Sequence, residues 1–335
     1  MKIAINGFGR IGRTFFRAAY EMKLDIAAIN DLTDVKTLIY LLKYDSNYGP
    51  FDPKVEIGEG EVLIDNKPIA VFSERNPSKL PWEKLGVDLV IESTGVFTEY
   101  SQAAEHLKAG AKYVLISAPY KGEKKMKTFV LGVNEEKFNP KEDKVMSMAS
   151  CTTNCLVPVA AVLHRNFTIK KSSMTTIHAY TMDQRLQDDA HQDLRRARAA
   201  ALSIIPTTTG ATTAAGEVIP ELRGKMGGIS YRVPTATVSL IDFAVVVGGE
   251  VTVGEVNAAF KKAADDPEYQ GALGISEEPL VSADFRGRGE GAIVDLLSTQ
   301  VIDGNLIRAV AWYDNEMGYS KRLAAFCQYI ERKIN

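Results

Sequence analysis

Short apolar runs alternate with helical segments through the first 150 residues. One helical segment follows the glycines at 7–12, and another occupies Ser101–Gly110. Strand-like runs occupy 2–5, 26–29, 87–95, 113–119 and 129–133. Alternation of strands with helices is typical of a parallel sheet covered by helices. Residues 1–150 are therefore predicted to form a doubly wound, parallel α/β (Rossmann) domain, which binds ligands beyond the carboxyl ends of its strands.

A different pattern begins near residue 150. An apolar run at 156–163 predicts a helix, and helical periodicity returns at 253–264 and 320–332. Longer strand-like runs occupy 174–181, 231–235, 238–247 and 293–298. The second half is therefore predicted to be an α+β domain with a mixed sheet covered by helices, and the change of pattern places a boundary near residue 150.

The segment Gly7-Phe8-Gly9-Arg10-Ile11-Gly12 has the spacing G-x-G-x-x-G directly after the first strand. The first glycine allows a tight turn, the second lets a pyrophosphate approach the backbone, and the third lets the helix pack on the strand. Asp31, at the end of the second strand, lies where a carboxylate accepts hydrogen bonds from a ribose and repels the extra phosphate of NADP. The pattern predicts an NAD site, and the alternative is a glycine-rich turn of another βαβ unit.

The segment Ser150-Cys151-Thr152-Thr153-Asn154-Cys155 stands just before the apolar run of the second half. Ser or Thr in that place is typical of an N-cap, so Cys151 is predicted at a helix N-terminus. Unpaired N–H groups and the helix dipole favour the thiolate there, and the thiolate is the nucleophile. One alternative is a buried helix with two small apolar cysteines. Another is a zinc site at Cys151 and Cys155, which falls short of four ligands.

Three features of the second half could serve this cysteine. The imidazole of His178 could hold the thiolate as an ion pair and then shuttle a proton, although a lone histidine on a strand is more often structural. The hydroxyl-rich turn at 206–213 opens a helix and suits phosphate oxygens, or is an ordinary capped turn. Arg232 lies in an otherwise apolar strand and needs a carboxylate or a substrate phosphate as its partner.

Composition and charge limit the partners. The chain of 335 residues is 45% apolar and 24% charged, with a net charge of −2, so neither nucleic acid nor an anionic membrane is expected. The basic segment 193–201 is interpreted as a solvated or subunit-contact helix rather than a nucleic-acid site. Apolar runs fall short of the ~20 residues of a membrane helix, and the N-terminus turns polar too early for a signal peptide. Three cysteines, an odd number, favour a reducing compartment, so a cytoplasmic enzyme is expected.

Four segments together resemble the signatures of glyceraldehyde-3-phosphate dehydrogenase: Asn6–Arg13, Ala149–Cys155, His178–Thr181 and Trp312–Glu316. The resemblance runs from about residue 2 to residue 330. It implies an NAD-binding domain at 1–150, a catalytic domain at 151–316 with an S-shaped loop at about 180–205, and a C-terminal helix at 317–335 that returns to the first domain. It also implies a homotetramer that oxidises glyceraldehyde 3-phosphate to 1,3-bisphosphoglycerate with NAD and inorganic phosphate, through a cysteine hemithioacetal and thioester.

The resemblance implies a role for individual residues. Cys151 is the nucleophile, and His178 is the base that activates it. The residues that hold NAD are Gly7, Gly9, Arg10, Ile11, Gly12, Asp31, Arg75, Ser117 and Asn315, the last through the nicotinamide amide. The residues for inorganic phosphate are Ser150, Thr152, Thr209 and Gly210, and those for the substrate's own phosphate are Thr181, Arg232 and, more loosely, Arg196. No metal ligand is expected.

Some positions depart from the pattern of that family. Asp189-Ala190 replace a usual Leu-Pro that helps to exclude NADP, so use of NADP beside NAD stays open. The segment 286–290 is more charged than usual. Thr213 replaces a usual lysine, Ala236-Thr237 replace a usual Pro-Asn pair, and Met148 replaces a usual asparagine. These changes concern substrate preference, phosphate affinity and subunit contacts more than the type of reaction.

Two other functions are considered. Erythrose-4-phosphate dehydrogenase is a relative that shares the cysteine, the histidine and the cofactor domain. The intact Thr209-Gly210 turn favours the phosphorylating enzyme, because a hydrolytic oxidation has no use for a second phosphate site. A non-catalytic binding protein on the same scaffold would be marked by loss of Cys151, His178 or Asn315, and all are present.

Overall fold

The computed structural model describes residues 1–334, which form two compact units. The first unit contains Met1–Phe129, Glu136–Ala149 and the residues from Leu323 onward. The second contains Val130–Glu135 and Ser150–Arg322. The chain therefore enters the second unit briefly at Val130–Glu135, enters it again at Ser150, directly before Cys151, and leaves it within the last helix.

A nine-stranded sheet forms the centre of the first unit. Its strands are β1 (Lys2–Asn6), β2 (Asp25–Asn30), β5 (Val55–Ile57), β6 (Glu61–Ile64), β7 (Lys67–Phe72), β8 (Leu89–Glu92), β9 (Tyr113–Ile116), β10 (Lys127–Thr128) and β11 (Val145–Ser147), and a separate pair is β3 (Tyr44–Asp45) with β4 (Gly49–Pro50). The helices are α1 (Arg10–Glu21), α2 (Val35–Lys43), α3 (Trp82–Leu85), α4 (Tyr100–Ala103) and α5 (Glu105–Lys108).

The strand order is β10-β11-β9-β8-β1-β2-β7-β6-β5. Every pair from β10 to β7 is parallel, while β6 and β5 extend the sheet as antiparallel strands. The central strands β1 and β8 are buried on both faces, as their continuous apolar sequences require. The predicted parallel sheet is confirmed, and the antiparallel edge was not predicted.

Two predicted elements of the first 150 residues are wrong in detail. Residues 129–133 form a turn and no strand, because Gly132 has a φ of +82° and the Asn134 side chain caps the Val130 N–H at 2.8 Å. The sheet pairs instead at β10, directly before this turn. The predicted helix 101–110 is divided at Ala104 into α4 and α5.

The second unit is built on a seven-stranded mixed sheet in the order β13-β14-β12-β15-β18-β17-β16. Its strands are β12 (Ile169–Ala179), β13 (Ile205–Thr207), β14 (Met226–Val233), β15 (Ser239–Val247), β16 (Leu273–Ser276), β17 (Ala292–Ile302) and β18 (Leu306–Tyr313). The helices are α6 (Cys151–Phe167), α7 (Ala211–Val218), α8 (Val253–Asp265) and α9 (Met317–Ile334), and α9 begins three residues before the predicted start.

Helix α6 supplies much of the core of this unit. Its residues Leu156, Val159 and Leu163 are fully buried and belong to one apolar cluster with alternate residues of β15 such as Phe243 and Val245. Full burial of a side chain of this size contributes about 1.5–3 kcal/mol. This packing fixes α6 on the sheet and thereby fixes the position of its N-terminus. The mixed sheet covered by helices is confirmed.

The segment between β12 and β13 contains the predicted S-shaped loop. Residues 193–201 form turns rather than the predicted basic helix. Carboxylates hold the arginines in place: Asp188 accepts from Arg198 Nε at 2.9 Å, and Asp183 accepts from Arg196. These side-chain contacts compete with a regular helical backbone, and they are a tertiary feature that the local charge pattern does not reveal.

Candidate active site

Cys151 is the first residue of helix α6, as the sequence predicts. Ser150 is the N-cap, and its Oγ accepts a hydrogen bond from Thr153 N at 3.1 Å. Asn154 N and Asn154 Nδ2 both donate to the Ser150 carbonyl at 3.0 Å. The thiol is therefore held at the positive end of a long buried helix.

His178 lies beside this thiol, with its Nε2 atom 3.4 Å from Cys151 Sγ. The other ring nitrogen, Nδ1, is 2.7 Å from the Ala179 carbonyl oxygen. The ring also packs edge-on against Tyr313 at a centroid distance of 5.9 Å. His178 is thus oriented from two sides, and a donating Nδ1–H would leave Nε2 free to accept the proton of the thiol.

Arg232 is the closest charge to the pair, because β14 places it opposite His178 in the parallel ladder with β12. Its Nη1 lies 2.5 Å from His178 Nδ1 and 3.3 Å from the Ala179 carbonyl oxygen. A guanidinium N–H only donates, so Nδ1 accepts in this contact, and Nε2 becomes the accepting nitrogen only when Nδ1 instead donates to the Ala179 carbonyl. Among the residues that the structure describes, nothing accepts from the buried Nε of Arg232. The guanidinium therefore has an unused donor next to the reactive groups.

Burial and a neighbouring charge shift the pKa values of this pair. Burial raises the pKa of the Cys151 thiol, and the charge of Arg232 offsets only part of that effect. Burial, together with the same arginine, lowers the pKa of His178 to about 3. Both shifts oppose the charges of the expected ion pair, which stays a prediction. The contact of 3.4 Å is short enough for a proton to pass between the thiol and the imidazole.

Thr181 and Arg196 converge with Arg232 around Asp183. The Thr181 hydroxyl and Arg196 Nη1 both donate to the Asp183 carboxylate. Burial alone would raise the pKa of Asp183, but the Thr181 hydrogen bond and the charges of Arg232 and Arg196 lower it. Arg196 is also held by Thr207, whose hydroxyl accepts from Arg196 Nε at 2.9 Å. The residues predicted for the substrate's phosphate are thus linked through one carboxylate.

The residues predicted for inorganic phosphate occupy two helix N-termini. Gly210 is the N-cap of α7 and makes no side-chain cap, and Thr209 Oγ1 accepts from Ala211 N at 3.2 Å. At α6, the Thr152 hydroxyl is turned into the protein, 2.8 Å from the hydroxyl of Tyr313. Tyr313 also meets Thr176 at 2.9 Å, so these three hydroxyls form a buried chain beneath the thiol.

Asn315, predicted to hold the nicotinamide, lies in the same unit as Cys151. Ser239 Oγ donates to Asn315 Oδ1 at 2.9 Å and accepts from Ala179 N at 3.0 Å. One serine therefore fixes the amide of Asn315 and the backbone beside His178. This serine follows the predicted departure at Thr237, whose hydroxyl donates to Asp314 at 3.2 Å.

A cavity of about 300 Å³ lies at the carboxyl ends of the parallel strands in the first unit. It is lined by four of the predicted residues, Gly7, Gly9, Asp31 and Arg75. Ser93 and Thr94 also line it, and the sequence places them on the ligand-binding edge of the sheet. The sequence assigns no cofactor role to the others, which are Asn6, Asn30, Leu32, Glu74, Val96 and Phe97. Most of these follow strand ends, and that position is the signal that could have identified them.

The glycine turn fits a dinucleotide. Gly7 has a φ of +92°, and a Cβ there would stand 2.6 Å from Thr94 N; a Cβ at Gly12 would stand 2.1 Å from the Gly7 carbonyl oxygen. At Gly9, an added Cβ would meet no heavy atom of the described residues within 4 Å. Gly9 is also the N-cap of α1 and offers no side-chain cap. A helix N-terminus open in this way suits a pyrophosphate.

Other predicted cofactor residues do not line this cavity. Arg10 donates to Asp45 at 2.6 Å and lies over the ring of Tyr48. Ser117 follows β9 and donates to the Glu92 carbonyl at 3.1 Å. Ile11 belongs, like Gly12, to the first turn of α1. These residues shape the turn and its surroundings.

Two further searches cover residues 1–334. No group of three or more His, Cys, Asp or Glu residues in that range is arranged to hold a metal ion. Cys155 is buried, with its Sγ 3.8 Å from the Ala311 carbonyl oxygen. Within the same range, no helix has the length and apolar character needed to span a membrane.

Comparison with known proteins agrees with this geometry. Residues 1–100 match the NAD binding domain of glyceraldehyde 3-phosphate dehydrogenase, and residues 150–315 match the C-terminal domain. The glyceraldehyde-3-phosphate dehydrogenase of Geobacillus stearothermophilus is 53% identical over 99% of both chains. The enzyme of Borreliella burgdorferi is 52% identical over 98% of this chain, and the enzyme of Bacillus subtilis is 50% identical over 99% of it. Both matches cover 99% of the relative's own length. The chain therefore belongs to the glyceraldehyde-3-phosphate dehydrogenase family.

Proposed function

We propose that Cys151 is the nucleophile and His178 the base of this NAD-dependent glyceraldehyde-3-phosphate dehydrogenase. The reaction oxidises glyceraldehyde 3-phosphate to 1,3-bisphosphoglycerate. The observation that carries the assignment is the distance of 3.4 Å between Cys151 Sγ and His178 Nε2 at the N-terminus of α6. A nucleophile within reach of an oriented base is the arrangement that covalent catalysis needs.

The first step forms a hemithioacetal. His178 Nε2 accepts the thiol proton while Cys151 Sγ attacks the aldehyde carbon, and the imidazolium then gives this proton to the former carbonyl oxygen, which becomes a hydroxyl. The positive end of α6 stabilises negative charge that develops on sulfur and oxygen.

The second step is the oxidation. Bound NAD supplies the hydride acceptor. His178 removes the hydroxyl proton as the hydride leaves the same carbon, and the product is a thioester on Cys151. An oxygen of inorganic phosphate then attacks the thioester carbon, the carbon–sulfur bond breaks, and Cys151 is restored as the acyl phosphate leaves.

Arg232 couples substrate binding to the strength of the base. Its charge lowers the pKa of His178 in the protein without ligands. A substrate phosphate bound by the half-buried guanidinium of Arg232 would neutralise that charge, so the pKa of His178 rises when substrate is present. The hydroxyls of Thr181 and the guanidinium of Arg196, linked through Asp183, complete this phosphate site.

Inorganic phosphate is assigned to the open N-terminus of α7 at Thr209 and Gly210, together with Ser150 and Thr152. The support is the uncapped Gly210, whose backbone faces open space.

NAD is assigned to the cavity lined by Gly9, Asp31 and Arg75, with Asn315 for the nicotinamide amide. The carboxylate of Asp31 favours NAD, while the exposed Asp189-Ala190 pair leaves use of NADP as a measurable second activity.

We further assign cofactor binding to residues 1–150, catalysis to 151–316, and to 317–335 a helix that returns to the first domain. The division of the chain between Ala149 and Ser150 supports the first bound, and the membership of the residues from Leu323 onward in the first unit supports the return of the last helix. We also propose that the chain works in the cytoplasm and forms a homotetramer. The support for the tetramer is the apolar surface of the segment near 180–205. Its large apolar side chains are exposed by 69–83%, as expected of a contact between subunits: Met182, Leu186, Leu194, Leu202 and Ile204.

The experiment that tests the function is NADH formation from glyceraldehyde 3-phosphate, with and without inorganic phosphate. Continuous turnover should require phosphate, and erythrose 4-phosphate should be a poor substrate under the same conditions. A faster, phosphate-independent oxidation of erythrose 4-phosphate would assign the chain to that related activity instead.

A further inference from the structure

A buried chain of polar side chains runs beneath the cavity of the first unit. Glu92, at the end of β8, is only 2% exposed, and His106 is fully buried. Four donors meet the Glu92 carboxylate: His106 Nε2 at 3.1 Å, Asn6 Nδ2 at 2.5 Å, and both the backbone N–H and the hydroxyl of Thr94. A carboxylate is suited to this place because it accepts and does not donate.

His106 is itself fixed from below by Trp82. The indole Nε1 of Trp82 lies 2.9 Å from His106 Nδ1, and the two rings are stacked at 6.2 Å. An indole N–H only donates, so Nδ1 must accept and the ring proton lies on Nε2. His106 therefore presents a donor to Glu92, and the direction of this hydrogen bond is set by the tryptophan.

The chain continues from Glu92 to the wall of the cavity. Asn6 Oδ1 accepts from Asn30 Nδ2 at 2.7 Å, and Asn30 is held by the backbone of Glu74 at 2.8 and 2.9 Å. Asn6, Asn30, Glu74 and Thr94 all line the cavity, whereas Glu92 does not. Glu92 therefore determines which way the amide of Asn6 faces, and it holds the turn at Thr94.

That turn lies against the glycine turn of the cofactor site. A Cβ at Gly7 would stand 2.6 Å from Thr94 N, and Ser93 Oγ donates to the Gly7 carbonyl at 2.7 Å. A shift of Thr94 would therefore move the backbone on which a pyrophosphate rests. Neither Glu92 nor His106 needs to touch the cofactor for this effect.

We propose that Glu92 and His106 are positioning residues of the dinucleotide site, which orient Asn6 and Thr94 for NAD binding. The proposal rests on the assignment of this cavity to NAD. In Glu92→Gln, the new amide cannot accept from Thr94 with one end and from Asn6 and His106 with the other. His106 cannot adapt by moving its proton, because Trp82 occupies Nδ1 with a donor. His106→Phe keeps a ring on Trp82 and removes one donor.

The test is calorimetric titration of the full chain with NAD, with the melting temperature recorded for every variant. Loss of hydrogen bonds to a buried charge should weaken NAD binding about tenfold in Glu92→Gln and less in His106→Phe. At saturating NAD, kcat should stay within about twofold of wild type, because Cys151 and His178 are unchanged. The matched control is Tyr113→Phe on neighbouring β9, which removes a partly buried hydrogen bond to the Pro140 carbonyl and should leave the affinity unchanged.

The outcomes separate this proposal from the proposed function. Failure of the wild-type chain to bind NAD would overturn the function. Wild-type binding with equal affinity in both folded variants would overturn the positioning role alone, and so would a fall in kcat without a change in affinity. If neither variant folds, Glu92 and His106 serve the fold rather than the site, and the proposal is also wrong.

Discussion

Arg232 gives the sharpest prediction for the substrate site. The change is Arg232→Gln, which keeps a polar side chain and removes the positive charge. In the structure, the Arg232 side chain is half-buried beside His178, and the charge of Asp183 acts on its guanidinium. A phosphate bound there would gain a charge-assisted hydrogen bond in a partly desolvated site.

The magnitude follows from that contact. A hydrogen bond to a charged group contributes about 1.5–3 kcal/mol, which is about 10- to 150-fold in kcat/KM. The assay compares glyceraldehyde 3-phosphate with unphosphorylated glyceraldehyde, for wild type and variant. The loss should appear with the phosphorylated substrate and should be much smaller with glyceraldehyde, which has no phosphate to bind.

The control is Arg165→Gln, which breaks an exposed ion pair with Glu268 on the same unit. Such surface pairs contribute about 0–1 kcal/mol, so both substrates should be nearly unaffected. Arg232 also contacts His178, so a smaller loss shared by both substrates is expected from that contact. An equal loss on both substrates in Arg232→Gln would contradict the reasoning, because the substrate phosphate would then gain nothing from Arg232.

Three other predictions address the thiol, the cofactor and the cap. Arg232→Gln should move the pH midpoint of Cys151 alkylation by iodoacetamide to higher pH, because the arginine lowers the pKa of the thiol. A midpoint at lower pH would contradict this effect of the arginine. Asp31→Ala should raise kcat/KM for NADP, because a carboxylate that repels the extra phosphate is removed; no rise would point to Asp189-Ala190 as the selector. Ser150→Ala should lower stability by about 1 kcal/mol in denaturant unfolding through loss of the α6 cap, and an unchanged midpoint would mean that the cap is not needed.

Local patterns predicted the main parts of the site. The turn at Gly7 and Gly12 follows from a conformation and a close approach that only glycine permits. The N-cap at Ser150 follows from a short polar segment before an apolar helix. Both signals lie within a few neighbouring residues, and both are confirmed in the structure.

The turn at 129–133 was missed although its causes are local, because its apolar sequence resembles a strand while the cap from Asn134 and the positive φ of Gly132 prevail. Other features were missed because they depend on distant residues. The shifted pKa values of Cys151 and His178 arise from burial and from Arg232, which lies 54 positions beyond His178 in the sequence. The hydrogen bonds from Trp82 through His106 to Glu92 join α3, α5 and β8, which the sequence pattern alone does not bring together.

The central claim is that oxidation passes through a thioester on Cys151. The most direct measurement is rapid acid quench of the enzyme with glyceraldehyde 3-phosphate and NAD, followed by mass spectrometry of the Cys151 peptide. Without inorganic phosphate, we expect one burst of NADH and a 3-phosphoglyceroyl group on Cys151, and addition of phosphate should remove that group as turnover begins. Continuous turnover without an adduct, or an adduct that persists in Cys151→Ser, would contradict the account.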